Sequence, residues 1–439
     1  MRLILTTLTL FALTATPAAA AGWTAPTLLN SERCEVGFCS PAPAVAVSAR
    51  GTVVATYRRE RDLRVFLRIG DASGRFGAAE ALPKGARPAQ LAIADDGTAV
   101  ATWAQKGQIR EAFRRPGGRF GRSVLVARTT GTEPALDDTL VGVDGSGRFG
   151  VVAWTDWVRR ADTTVFVRAL DLRSGRPTGA AKRLDAASFL RIGQLAMNSA
   201  GGFALAWGAT QGDRSRIGVE TGGPAGFAEP EQVNAEQRTD DPRVAIDPAG
   251  AVAVAYTDVH TSGDVGARGI SVLRVRPAGA AAFGPELRVP APRPGRVFNP
   301  QVVFTGDGHP ELLWQEKTHE AGFSRAAPLK AAIATADGSA LGAPAVVADR
   351  DIAQPRVATL AGGRLVSVWQ IGEDLGAPLA GALSRDTGVF HRMRAPQGRV
   401  DPFSDASGNR GLATGGRYAA FIWGGGAENG YVRISVRAF

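Results

Sequence analysis

Pro242–Asp258, PRVAIDPAGAVAVAYTD, reads as a short strand, a turn at Asp247-Pro248-Ala249-Gly250, and a second strand that ends on a large aromatic. Along Ala251–Asp258 the residues Val252, Val254 and Tyr256 fall on one face and the alanines on the other, a period of two and therefore a β-strand. The same phrase recurs at 88–105 (PAQLAIADDGTAVATWAQ), 140–156 (LVGVDGSGRFGVVAWTD), 194–208 (QLAMNSAGGFALAWG), 300–316 (PQVVFTGDGHPELLWQE) and 355–370 (PRVATLAGGRLVSVWQ). With more drift it recurs at 43–59 and 411–425, which makes eight copies. Their closing aromatics are Tyr57, Trp103, Trp154, Trp207, Tyr256, Trp314, Trp369 and Trp423, spaced by 46, 51, 53, 49, 58, 55 and 54 residues. A period near 50 with several strands per unit is that of β-propeller blades. The aromatic is expected to fill the gap between neighbouring sheets, each ring burying roughly 150–250 Å².

Each full repeat holds four strand-like segments, A to D. In the fifth these are Arg243–Ile246, Ala251–Thr257, Gly269–Val275 and Phe283–Val289. The D phrase, an aromatic-Gly motif followed by an apolar pair, recurs at 75–82, 119–126 and 226–233, with weaker forms at 177–184, 341–347 and 389–394. The phase of the ends is informative. Gly22–Leu29 is a D-type segment with nothing before it in its repeat, and Gly430–Val436 is a C-type segment with no D after it. The expected architecture is therefore an all-β, eight-bladed propeller over residues 22–439, in which the two ends complete one blade and so leave no open edge. The A-to-B turns are short and alike, built on Asp and Gly. The B-to-C and D-to-A loops vary and carry the unusual residues, so the face they form is the expected functional one.

The first 21 residues, MRLILTTLTLFALTATPAAAA, have one Arg, an apolar run and a small-residue patch, the pattern of a secretory signal peptide cleaved near Ala20 or Ala21. A secreted or periplasmic protein is expected. Cys34 and Cys39, the two cysteines of the chain, read as a disulfide closing a small loop. Net charge is +10, and all but five of the 51 basic residues are arginine. They are spread through every repeat with few aromatics between them, which argues for solvent-facing strand positions and against nucleic acid as a partner. A glycan or protein ligand and a monomeric state are the expectation.

Two places past each anchor lie Arg59, Gln105, Asp156, Ala209, Asp258, Glu316, Ile371 and Gly425. Asp156, Asp258 and Glu316 would put carboxylates on one rim, with Trp157, Arg159, His260, Asp264, His319 and Glu320 close by in sequence. Carboxylates converging on a cleft bind a cation through oxygen or act as acid and base in glycoside hydrolysis. Equally, they are strand ends that meet arginine. No cofactor or metal site is expected. Gly145–Gly150 satisfies GxGxxG but precedes the strand VVAW, not a helix, so it reads as a turn. His319-Glu320 has Phe323 where a zincin has its second histidine, and the four histidines form no ligand pair.

The repeats, with D-x-x-G before an apolar strand ending in Trp, resemble sialidase-type and related bacterial propellers across the mature chain. The Asp-box S-x-D-x-G-x-x-W of sialidases is absent: Gly97 precedes Trp103 by six places. The resemblance implies the architecture and a sialidase-like glycoside hydrolase as one functional reading. The other is an exported binding or scaffold propeller that recognises a glycan, peptide or protein.

Overall fold

The computed structural model describes residues 22–31, 43–59, 61–131, 139–159, 162–212, 214–235, 239–260, 268–289, 292, 295–317, 327–371, 377–385, 389–393, 399–400, 411–425 and 431–439. Within them the chain is all β, with no helix. The strands form four-stranded antiparallel units in the order A-B-C-D, seen for example in 44–47, 53–59, 64–70 and 80–81. The fourth unit adds a second short outer strand. The sixth and seventh units belong to one eight-stranded sheet.

That last feature differs from the sequence expectation of a D-to-A loop. Ala345–Thr359 runs unbroken for 15 residues, as D of the sixth repeat and A of the seventh. The weak D phrase at 177–184 is likewise part of a 12-residue strand, Arg176–Ala187, with only Ser188 before the next A strand at Phe189–Met197. At several other D phrases the strand is short, as at Glu80–Ala81 and Leu287–Val289. There the glycine amide turns back to donate to the end of strand C: Gly77 to Ile69 O, Gly121 to Phe113 O and Gly284 to Val275 O, each at 2.8 Å. The motif thus makes a tight corner, and only the residues after it pair.

The two chain ends share one sheet. Thr27–Ser31 pairs antiparallel with Tyr431–Ala438, Thr27 opposite Ile434 and Leu28 opposite Arg433. Thr24 extends the seam, its N–H donating to Val436 O at 2.8 Å and its Oγ1 accepting from Val436 N at 3.0 Å. The innermost strands follow one another side by side, 44–47 beside 90–93, then 139–143, 189–197, 239–246, 296–304, the second half of 345–359 and 412–415, which lies beside 44–47.

Between successive sheets lie layers of apolar side chains. The anchors sit in them as expected: Trp103, Trp154, Trp207, Tyr256, Trp314 and Trp423 are among the largest fully buried side chains. Each anchor faces the preceding repeat, as Trp314 does when it packs with Ala253, Leu273 and Val275. Arginines on strand C lash the layers together. Arg274 donates from Nε to Gly284 O of its own outer strand at 2.8 Å and from Nη1 to Val233 O of the preceding repeat at 2.6 Å. Arg168 makes the same pair of bonds, to Gly179 O and Val126 O. Part of the basic composition is therefore spent in the scaffold.

At the opposite end, the A-to-B turns are linked sideways. Asp95 N donates to Gly145 O, Gly145 N to Ser199 O, Asn198 Nδ2 to Asp247 O and Ala361 N to Gly416 O, at 2.8–3.2 Å. Gly145–Gly150 joins strand 139–143 to the start of strand 149–159 in one of these turns, so the GxGxxG match is a hairpin turn.

Candidate functional site

The B-to-C rim was the expected site, and its carboxylates are heavily engaged. Asp156 is buried at the end of strand B of the third repeat. One oxygen accepts from Thr130 N and Thr130 Oγ1, both at 2.9 Å, and the other from Gly131 N at 2.9 Å. It therefore fixes the strand leading away from the second repeat. Asp258 is buried in the fifth repeat, with Arg288 Nη1 at 3.5 Å. Arg288 also grips Glu286, from Nε at 2.9 Å and from Nη2 at 2.6 Å, and Glu286 accepts from the Tyr256 hydroxyl at 3.0 Å. Burial first, then the neighbouring Glu286 carboxylate, push the Tyr256 phenol well above its usual range. Glu316 accepts from Lys330 Nζ at 2.6 Å and from Trp314 Nε1 at 3.4 Å. The described contacts join no two of the three.

Of the neighbouring candidates, Trp157 is half-buried and meets Phe189 edge-on, with ring centroids 5.7 Å apart and planes at 81°. The backbone of Arg159 and His260 ends strand B of the third and fifth repeats, but their side chains lie outside the described set. Asp264, His319, Glu320, Cys34, Cys39 and the first 21 residues also lie outside the described residues. Among the described residues no group of three His, Cys, Asp or Glu side chains is placed to hold a metal.

Two features of the inner strands escape a search for catalytic motifs. Repeats five to seven share a polar residue, a proline, then Arg or Gln and Val: Asp241-Pro242-Arg243-Val244, Asn299-Pro300-Gln301-Val302 and Gln354-Pro355-Arg356-Val357. In each, pairing with strand B breaks just before the third residue, at Asp240/Arg243, Phe298/Gln301 and Ala353/Arg356. Proline has no N–H for the ladder, so it belongs in a bulge, and the bulge re-aims the residue that follows. Arg243, Gln301 and Arg356 thereby come to equivalent inner positions, all buried. The repetition of this tetrapeptide was the available signal.

Beside Gln301 lies a cavity of about 780 Å³. Its wall runs from Gln194 and Gln301 past Ile246, Phe304 and Thr359 to the A-to-B turns. It is formed by innermost strands of the fourth to eighth repeats, and it lies toward the turn end of the molecule, away from the variable loops.

Three buried acids were also missed. Glu111 and Glu311 replace apolar residues that other repeats carry at the same register: Leu67, Val167 and Leu273 for Glu111, and Val54, Val151 and Val366 for Glu311. Desolvation pushes Glu111 up to about 8, against the pull of Arg168. Desolvation alone raises Glu311 to about 7. Glu220 rises to about 7 because burial outweighs Lys182, whose Nζ stands 3.3 Å away. Each sits in a layer between repeats and not in a cleft.

No family model and no curated protein matches the sequence. Solved structures do match the fold. The WD40 domain of SCAP from fission yeast aligns with a TM-score of 0.50 at 9% identity, over 94% of this chain and 96% of that one. A polysaccharide lyase, an ulvan lyase, aligns at 0.50 and 11% identity, over 93% and 94%. An α-L-arabinanase of Penicillium chrysogenum, solved with arabinobiose, aligns at 0.44 and 12% identity, over 81% and 94%. WD40 repeats build β-propellers. The fold of this chain is that of a β-propeller.

Proposed function

We propose that this protein is an exported glycan-binding propeller of eight blades, closed by the strand that its two termini share. The seam between Thr27–Ser31 and Tyr431–Ala438, and the side-by-side run of innermost strands from 44–47 round to 412–415, support the closure. The ligand is met on the loop-rich face. The fold alone is shared by a WD40 domain and by a polysaccharide lyase, so the choice between binding and catalysis rests on side chains.

The observation that carries the choice is the state of the rim carboxylates. A glycosidase places two carboxyl groups roughly 5–10 Å apart across the scissile bond. Here Asp156 holds Thr130 and Gly131, Asp258 faces Arg288, and Glu316 holds Lys330 and an indole. Tyr256, its phenol held protonated in a buried anchor position, does not have the character of a nucleophilic tyrosine. What the inner strands offer instead is a repeated set of donors, Arg243, Gln301 and Arg356, the chemistry that hydroxyl and carboxylate groups of a polysaccharide require.

The test is a glycan and polysaccharide array read at two salt concentrations, run beside a panel of chromogenic glycosides. Saturable binding without turnover is the expected result. Turnover that disappears in Asp258→Asn or Glu316→Gln, with the fold retained, would establish the hydrolase reading in its place.

A further inference from the structure

Thr155, Trp157 and Thr163 share one face of the third repeat. Trp157 pairs with Thr163, Thr163 with Ala187, and Thr155 with Val165, which pairs with Asp185. Residues paired across strands point to the same side of a sheet. That side is packed on the fourth repeat, where Val165 and Ala187 meet Leu190 and Trp207. Thr155 Oγ1, Thr163 Oγ1 and Trp157 Nε1 are all buried, and none has a hydrogen-bond partner among the described residues. Both threonines are wholly buried. Buried polar groups are nearly always satisfied, by protein or by ordered water, so these three have hydrogen bonds to give to ordered water.

Directly beside them the surface is aromatic. Phe189, the first residue of the fourth repeat's innermost strand, is 48% exposed and lies edge-on to Trp157. Exposed Arg191 stands two residues along the strand that Phe189 opens. Asp185, on the same face, accepts from Arg216 Nε at 3.1 Å and from Trp207 Nε1 at 2.9 Å. The patch thus combines an exposed ring with unspent hydroxyl and indole N–H groups. The complementary ligand has a flat apolar face and several hydroxyls, which is the chemistry of a sugar ring.

We propose that the rim between the third and fourth repeats is a subsite for one sugar unit of a glycan, stacked on Phe189, its hydroxyls bridged by ordered water to Thr155, Thr163 and the Trp157 indole N–H. This rests on the glycan-binding reading above and adds where one unit sits. The test is titration calorimetry with neutral oligosaccharides at low and high salt, on the natural protein and on Phe189→Ala, Thr155→Val and Thr163→Val. Phe189→Ala is expected to weaken binding by about tenfold or more, with an unchanged melting temperature because the ring is exposed. The valine variants are expected to weaken it severalfold, and Trp157 emission is expected to shift on binding. Glycan binding with the same affinity in Phe189→Ala and Thr163→Val would overturn the subsite and leave the binding reading standing. In that case the three polar groups hold structural water only. A natural protein that binds no glycan, neutral or charged, would overturn both.

Discussion

Glu316 shows how a rim carboxylate is explained without chemistry. It stands two places after Trp314 and accepts from that indole, and Gln105 does the same for Trp103. An uncharged residue performs the same task in another repeat, so the need is for an acceptor. Glu316→Gln is therefore expected to keep the fold, shifting the melting temperature by only a few degrees through the loss of the Lys330 pair, as thermal unfolding will show. Glycine at the equivalent of an anchor's partner is more demanding. Gly218 pairs with Trp207, and a Cβ there would lie 2.3 Å from two carbons of the indole, which Asp185 holds in place. Gly218→Ala is expected to cost about 1–3 kcal/mol by overpacking, measurable as a fall in the denaturant midpoint. Neither point was legible in the sequence, where Gly218 is one of many glycines.

Strands and their ends obey the repeat more faithfully than individual side chains do. The alternation in strands B was readable because half of each strand is buried on each face, and the anchors fell where the period put them. The D strands were less so. An outer strand has one partner, so its length depends on local twist, and the best-marked motif turned out to be a corner. Asp156 illustrates the coupling of one element to the next. Asp156→Ala would leave the amides of Thr130 and Gly131 without their acceptor, and a loss of about 1–3 kcal/mol is expected, with faster hydrogen exchange at 129–131 as the direct readout. The terminal strand is equally testable. Removal of residues 22–31 strips the partner from Tyr431–Ala438 and exposes its edge. A lower melting temperature and concentration-dependent self-association, followed by light scattering, are expected. An unchanged monomer would contradict the closure.

For the molecule entire, the buried acids set the response to pH. Glu111, Glu220 and Glu311 have folded-state values of about 8, 7 and 7, above the ordinary carboxyl range they return to on unfolding. A raised acid contributes stability fully below its unfolded value and loses it as pH climbs through the folded one. The melting temperature is therefore expected to fall from about pH 4.5 to about pH 8, and Glu311→Gln is expected to flatten that slope. The signal for these acids was present in the sequence, as Glu111 and Glu311 interrupt registers otherwise held by Val, Leu or Ala, but it becomes meaningful only once the register is known. Periodicity, anchor spacing and the split phase of the two ends settle from sequence alone that this is a repeat of small sheets, because each is a local consequence of the two-residue β period and of burial between layers. What faces what was decided by tertiary structure. Whether Asp156 meets a ligand or Thr130, whether proline bulges aim arginine inward, and whether Phe189 comes to lie against Trp157 depend on contacts between residues far apart in the chain, and no local pattern encodes those distances.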